Sequence, residues 1–166
     1  MGMSSYLKQL RDRVGGQLLL LPGVSAIVFN DAGEILLHRR YDNGKWAIMG
    51  GIPDPDEQLA DALVREVWEE TGVTVEPLNV TGVYTSPIVS YPNGDIAQYV
   101  IVAFRCHPIS GAPRVNDDES LEVRYFKLDE LPDLSKEHLL RIEHAKIDGP
   151  AYFSRPTGDP RELSQG

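Results

Sequence analysis

A single cysteine, Cys106, occurs among the 166 residues of this chain. One thiol excludes an internal disulfide and suits a reducing compartment, so a cytoplasmic protein is expected. The cysteine reads as a packed strand residue, since no nucleophile's partner stands near it in sequence. Histidine is scarce too, and His38, His107, His138 and His144 lack metal-ligand spacing, so they read as surface or packing residues. Long apolar runs are missing. The longest, Leu18, Leu19, Leu20 and Leu21, falls far short of the roughly 20 residues that span a bilayer, so no membrane partner is expected. No apolar leader stands at the start; a charged amphipathic segment over residues 6–14 takes its place. Positive charge is in deficit, with 16 Lys and Arg against 25 Asp and Glu and a net charge of −9. That balance excludes electrostatic wrapping of nucleic acid, which needs a basic stripe. Any phosphate must be bound locally, with a metal's help.

Acid is concentrated where it carries information, in the stretch GIPDPDEQLADALVREVWEETGV from Gly51 to Val73. Residues 58–71 carry apolar side chains at helical spacing. Prolines and acidic residues before them suit a helix start, and Gly72 suits the left-handed residue after its end. At about 100° per residue, Leu59, Ala60, Leu63, Val64 and Val67 share one face. Glu66 and Glu70 lie one turn apart along the edge of that face, with Glu69 beside them. A solvated acidic face is the ordinary reading of such a run. Here, though, like charges at one-turn spacing repel, and the apolar neighbours raise the cost of ionising them. A hard divalent cation removes both penalties by drawing the carboxylates together. Arg65, one turn before Glu69, can hold it through a charge-assisted hydrogen bond. Gly50 and Gly51 let backbone come close to an ion or a phosphate.

The stretch resembles the Nudix box, the signature of hydrolases that cleave a diphosphate linkage attached to a nucleoside or similar group. The match runs from Gly51 through Glu57 to Arg65-Glu66-Val67-Trp68-Glu69-Glu70-Thr71-Gly72-Val73. Looser likeness covers residues 23–147, including LLHRR before the box and DDESLEVRYFKLDELP behind it. The opening YLKQLRDRVGGQLLLLPGV is similar to members grouped as ADP-ribose pyrophosphatase-like. The resemblance implies an α/β fold, a Nudix-type α/β/α sandwich with a mixed β-sheet. Domain limits follow: a helical lead-in over 1–16, the hydrolase domain over 17–148, and a partly disordered tail over 149–166.

It also implies roles. Glu69 and Glu70 are the expected metal ligands, Glu66 is a third ligand or the catalytic base, and the Gly50 carbonyl completes the set. Glu57 is a supporting ligand or the anchor of Arg65, itself a positioning member of the catalytic group. Mg²⁺ is the implied ion, with Mn²⁺ as substitute. Glu119 best matches an acid that several members supply from a later loop, with Asp117 and Asp118 beside it. Arg40 and Gly51 are the expected contacts to the phosphates. Two departures stand out. Met49 replaces a common proline, which implies a less rigid loop, and Asp54 and Asp56 replace glutamate and glycine.

Elsewhere, strands are expected over 17–29, interrupted at Pro22-Gly23, then over 34–39, 75–84, 96–105 and 121–128. Asn30-Asp31-Ala32-Gly33 is a hairpin turn, and a last helix is expected over 135–146. The activity implied is Mg²⁺-assisted hydrolysis of a nucleoside diphosphate linked to another moiety, such as ADP-ribose or a nucleotide sugar. Two other readings stand beside it. One is a nucleoside triphosphate pyrophosphatase, including a sanitiser of oxidised nucleotides; the other is a non-catalytic nucleotide sensor. The partner is a small nucleotide, and sheet edges with the N-terminal amphipathic helix suit a homodimer.

Overall fold

A computed structural model describes residues 4–156. Its first helix, α1 (Ser5–Val14), begins where the Ser4 hydroxyl accepts from the Leu7 N–H and ends at Gly15. The buried Arg11 donates from Nη1 to the Gln17 carbonyl at 2.7 Å and from Nη2 to the Ile96 carbonyl at 2.8 Å, tying α1 to the sheet.

Two sheets follow from the alternating segments. The larger has the order β4 (Met49–Gly51), β1 (Leu18–Val28), β7 (Ile96–Ser110), β5 (Thr74–Thr85), β9 (Tyr152–Phe153), with β6 (Val89–Ser90) also on β7. The smaller has β3 (Trp46–Ala47), β2 (Ile35–Arg40) and β8 (Ser120–Phe126) in that order. β1 runs parallel to β7 and β5 parallel to β9, while the remaining pairs are antiparallel. The sheet is therefore mixed.

Side-chain alternation along β1 explains the layers. Val24, Ala26 and Val28 enter one core with Ala62, Leu63 and Val67 of α2 (Leu59–Thr71). Ile27 faces the other way, into a second core with Ile142 and Ala145 of α3 (Lys136–Lys146). Helices thus cover opposite faces, giving the α/β/α sandwich. Each fully buried aliphatic side chain contributes about 1.5–3 kcal/mol to holding those layers. A third small cluster, Leu7, Leu21 and Ala97, docks α1.

Several boundaries differ from expectation. β1 passes through Pro22 and Gly23 without a break. β4 joins β1 only from Val24 onward, so Pro22 lies where the strand has a partner on one side alone. β7 continues to Ser110, because its pairing with β5 extends to Thr74. β8 ends at Phe126, two residues before the expected limit. Of the tail, Tyr152 and Phe153 add a short strand beside Gly82 and Val83; residues 157–166 lie outside the described residues.

Candidate active site

α2 starts without a side-chain cap at Gln58 and stops at Gly72, whose N–H bonds the Trp68 carbonyl. Thr71 Oγ1 donates to the Val67 carbonyl at 2.6 Å, and the Asn116 amide donates to the Trp68 carbonyl at 2.9 Å. The helix is therefore tied firmly at the end that carries Glu69 and Glu70. Its buried residues include Ala62, Leu63 and Val67, and with them Glu66 and Glu70. Both carboxylates turn inward, toward the strand β4 that holds Gly50 and Gly51.

The approach is close. A Cβ at Gly51 would fall on the Glu66 carboxyl group, and one at Gly50 would strike the Val24 carbonyl. A side chain at Gly50 would push the strand off β1, and one at Gly51 would displace the Glu66 carboxyl. The Gly50 N–H donates to the Glu70 carboxylate. Met49, the departure expected to loosen this loop, is fully buried and paired with Ala26 in the β1–β4 ladder. Packing fixes the loop where a proline ring would otherwise have done so.

Arg65 gathers three of the acids. Its Nε and Nη2 donate to the two oxygens of Glu57, both at 2.8 Å, and its Nη1 donates to Glu66 at 2.8 Å and Glu69 at 3.2 Å. The fork to Glu57 holds that carboxyl below the usual carboxylate range. For Glu66, burial outweighs the Arg65 bond and raises the pKa. Glu70 is pushed well above its ordinary value, first by burial and then by the neighbouring charges of Glu66 and Asp117. One of its oxygens, Oε2, is buried with no hydrogen-bond partner.

Two crowded acids with a buried orphan oxygen are the arrangement a divalent cation would satisfy. Among the described residues, however, no three acidic, histidine or cysteine side chains already converge as an ion's ligands. Arg65 draws Glu57, Glu66 and Glu69 toward itself. The residues that fit the ion best as they stand are Glu66 and Glu70, with the Gly50 backbone at their side.

His38 was read from sequence as an ordinary packing or surface residue. It is fully buried, with Nδ1 2.9 Å from Ser120 Oγ and 3.9 Å from Glu70 Oε1. Burial, with Arg40 beside it, lowers its pKa to about 4, so it stays neutral there. The strand pattern around it, ILLHRR, marks the position as inward-facing. Nothing in the sequence marks its neighbour.

The acidic loop divides between two places. Asp117 is the member whose charge is felt at Glu70, and its Oδ1 accepts from the Glu119 and Ser120 N–H groups at 3.0 and 3.2 Å. Glu119 borders a separate cavity of about 290 Å³, together with Tyr91 and Tyr99. Those tyrosines bond through their hydroxyls at 2.7 Å. Arg40 borders a second cavity, of about 340 Å³, next to Gly50 and Gly51. Its guanidinium is held by both oxygens of Asp42, at 3.0 and 2.7 Å. Tyr99 and Ile52 line both cavities.

The NUDIX domain family model matches residues 19–147. The chain belongs to the Nudix hydrolase family. A MutT-like protein of Streptomyces ambofaciens is 35% identical, across 76% of this chain and 76% of that one. An ADP-ribose pyrophosphatase of Methanocaldococcus jannaschii is 34% identical, across 81% of this chain and 79% of its own length. Among solved structures, the MutT NUDIX hydrolase from Burkholderia pseudomallei superposes with a TM-score of 0.65 at 30% identity, covering 76% of this chain and 98% of that one. Nudix hydrolases generally use a divalent metal. Among the described residues, no helix of this Nudix hydrolase is long and apolar enough to cross a membrane.

Proposed function

We propose that this Nudix hydrolase cleaves the diphosphate linkage of a nucleoside diphosphate joined to another moiety, with ADP-ribose as the leading candidate and water as nucleophile. One observation carries the reading. Glu66 and Glu70 are buried one turn apart against Gly50 and Gly51, and an oxygen of Glu70 is left without a donor. The likeness to a protein named ADP-ribose pyrophosphatase supports the choice of substrate.

Magnesium is the proposed ion, with manganese as substitute, held by Glu66, Glu69 and Glu70, the Gly50 carbonyl, and Glu57 in support. When bound it would neutralise the diphosphate and lower the pKa of a coordinated water. The chain supplies the rest. Glu66, raised in pKa by burial, would serve either as a third ligand or as the base that takes the proton of the attacking water. Arg65 fixes the rotamers of Glu57, Glu66 and Glu69, a positioning role. Gly51 admits the phosphates to the Glu66 carboxyl, and Arg40 stands at the rim of the same cavity. Water's oxygen would bond to one phosphorus as the anhydride bond to the other phosphate breaks. The products are a nucleoside monophosphate and the phosphorylated second moiety. Glu119 remains the rival base, approaching from the tyrosine-lined cavity.

Incubation with magnesium and ADP-ribose, nucleotide sugars, dinucleotides and nucleoside triphosphates, with identification of the phosphorylated products, tests this. AMP and ribose 5-phosphate from ADP-ribose are the expected pair. Pyrophosphate released from a triphosphate, with ADP-ribose left intact, would replace this substrate class by the triphosphate reading. Tight binding with no turnover of any compound would point to a sensor.

We further propose a cytoplasmic homodimer. The free, buried Cys106 thiol, pushed up to about 12 by burial, fits a reducing compartment. Leu18 and Leu20, at 49% and 64% exposure on β1, offer an apolar surface to a second copy.

A further inference from the structure

α3 turns Ile142 and Ala145 into the core, and between them and its first turn sits Arg141, only 8% exposed. Its Nε is buried without a hydrogen-bond partner, and among the described residues no carboxylate pairs with it. The guanidinium carbon lies 5.5 Å from the centre of the Tyr84 ring, and burial lowers its pKa. His138, one turn earlier, also has a buried nitrogen, Nδ1, without a partner. Both side chains line the 340 Å³ cavity bounded by Gly50, Gly51, Arg40 and Tyr99.

Glu137, on the same helix, offsets part of the charge without a direct ion pair, but the buried Nε–H has no acceptor, and buried polar groups are seldom left in that state. An occupant bringing oxygen acceptors would complete it. The planar fork of an arginine matches the oxygens of a phosphoryl group, and the charge favours an anion over a neutral acceptor. Arg40, the other cation at this cavity, is 42% exposed and already spends its Nε and Nη2 donors on Asp42. In a chain with a net charge of −9, Arg141 is then the cation best placed to draw a phosphate behind the glycine loop.

We propose that Arg141 is a substrate-binding residue of this enzyme, receiving a phosphoryl group of the diphosphate in the cavity between α3 and the Gly50–Gly51 strand. The inference rests on the reading of this site as a diphosphate hydrolase. Arg141 has no part in proton transfer; its contribution is to binding. A structural arginine would lower stability when removed, whereas this one is kept at a cost to stability and should release it.

The test compares the wild-type enzyme with Arg141→Met and Arg141→Lys. Thermal midpoints are measured first without ligand, then with inorganic pyrophosphate or adenosine in EDTA, and finally KM and kcat are measured in magnesium. Arg141→Met is expected to melt at or above the wild-type temperature and to lose the stabilisation by pyrophosphate. Its KM should rise about ten- to a hundredfold, the loss of one or two charge-assisted hydrogen bonds, with kcat changed less. Arg141→Lys should recover part of the affinity. A Met variant that melts well below wild type with unchanged KM would make Arg141 structural and end the proposal. So would a wild-type protein that pyrophosphate does not stabilise, or a Met variant that loses adenosine binding alone. If the wild type hydrolyses no compound, the reading of Glu66 and Glu70 fails, yet the pyrophosphate shift still reports on Arg141. If hydrolysis is found and the variant keeps both KM and shift, Arg141 fails alone.

Discussion

Burial sets the protonation of the side chains that matter most here. His38 and His138 both fall from the ordinary 6.5 to about 4, driven first by desolvation and then by the arginines Arg40 and Arg141 respectively. A base with a lower pKa folded than unfolded binds fewer protons in the native state as pH drops below 6.5. Stability is then lost as acid is added, and the loss levels off near pH 4. At most it amounts to about 1.4 kcal/mol per pH unit for each ring. Urea denaturation between pH 6.5 and 5 should show this fall, and His138→Gln should shrink its slope. A slope equal to that of wild type would mean that His138 is not neutral in the folded state. Neither environment could be read from sequence. A histidine on an apolar strand or helix face is ordinarily a packed residue, and what packs against His38 is Ser120, 82 positions away.

Elements were far more legible than single environments. The 3.6-residue period located α2 to within one residue of Leu59–Thr71, and the chemistry of Asn30 to Gly33 located the turn after β1. β1 and β2 then enter different sheets, however, and the flanking residues meet only at the Phe29–Ile35 bridge. Asn30 Oδ1 accepts from the Ala32 and Glu34 N–H groups at 3.0 and 2.9 Å, the local bonding that makes this turn predictable. Ala62 shows the limit: it is fully buried although Ala60 had been placed on the inner face. Pro22 shows another, because a strand with a partner on one side tolerates what a central strand does not. Asp56 is more telling. It departs from a glycine usual in the family, and it is the sole non-glycine among the described residues with positive φ, at 67°. The turn into α2 thus keeps a left-handed backbone at a cost of about 1 kcal/mol. Asp56→Ala should be less stable than Asp56→Gly by about that amount in chemical denaturation; equal stabilities would show that the turn relaxes in solution.

For the molecule as a whole, the sandwich was readable from the order of strands and helices and from the Nudix resemblance, and the grouping of the acids from the stretch Gly51 to Val73 alone. The cavity was not. Arg141 and His138 come from a helix remote in sequence, and α3 reaches the site only because β1 sends Ile27 to that face. A charged residue on an amphipathic helix gives no sign of which residues a sheet will bring to it. Assembly is likewise a property of the whole surface. Leu20→Lys should convert the proposed dimer to the 18.4 kDa monomer in sedimentation equilibrium. A wild-type chain that sediments as a monomer at tens of micromolar would remove the dimer from the account.

Burial holds the Glu70 carboxyl well above its ordinary pKa. A folded acid of raised pKa stabilises the native state below its unfolded value, and that contribution is lost as pH rises through the folded one. Above the ordinary carboxylate range and without metal, burial of the Glu70 carboxyl therefore works against folding, and an amide in its place relieves the cost. The deciding measurement is magnesium-dependent ADP-ribose hydrolysis by Glu70→Gln, taken with its melting temperature. The account predicts a loss of about 10²–10³-fold in kcat, in a protein that melts in EDTA at or above the wild-type temperature and gains nothing from magnesium. Activity near the wild-type level in that variant would contradict it.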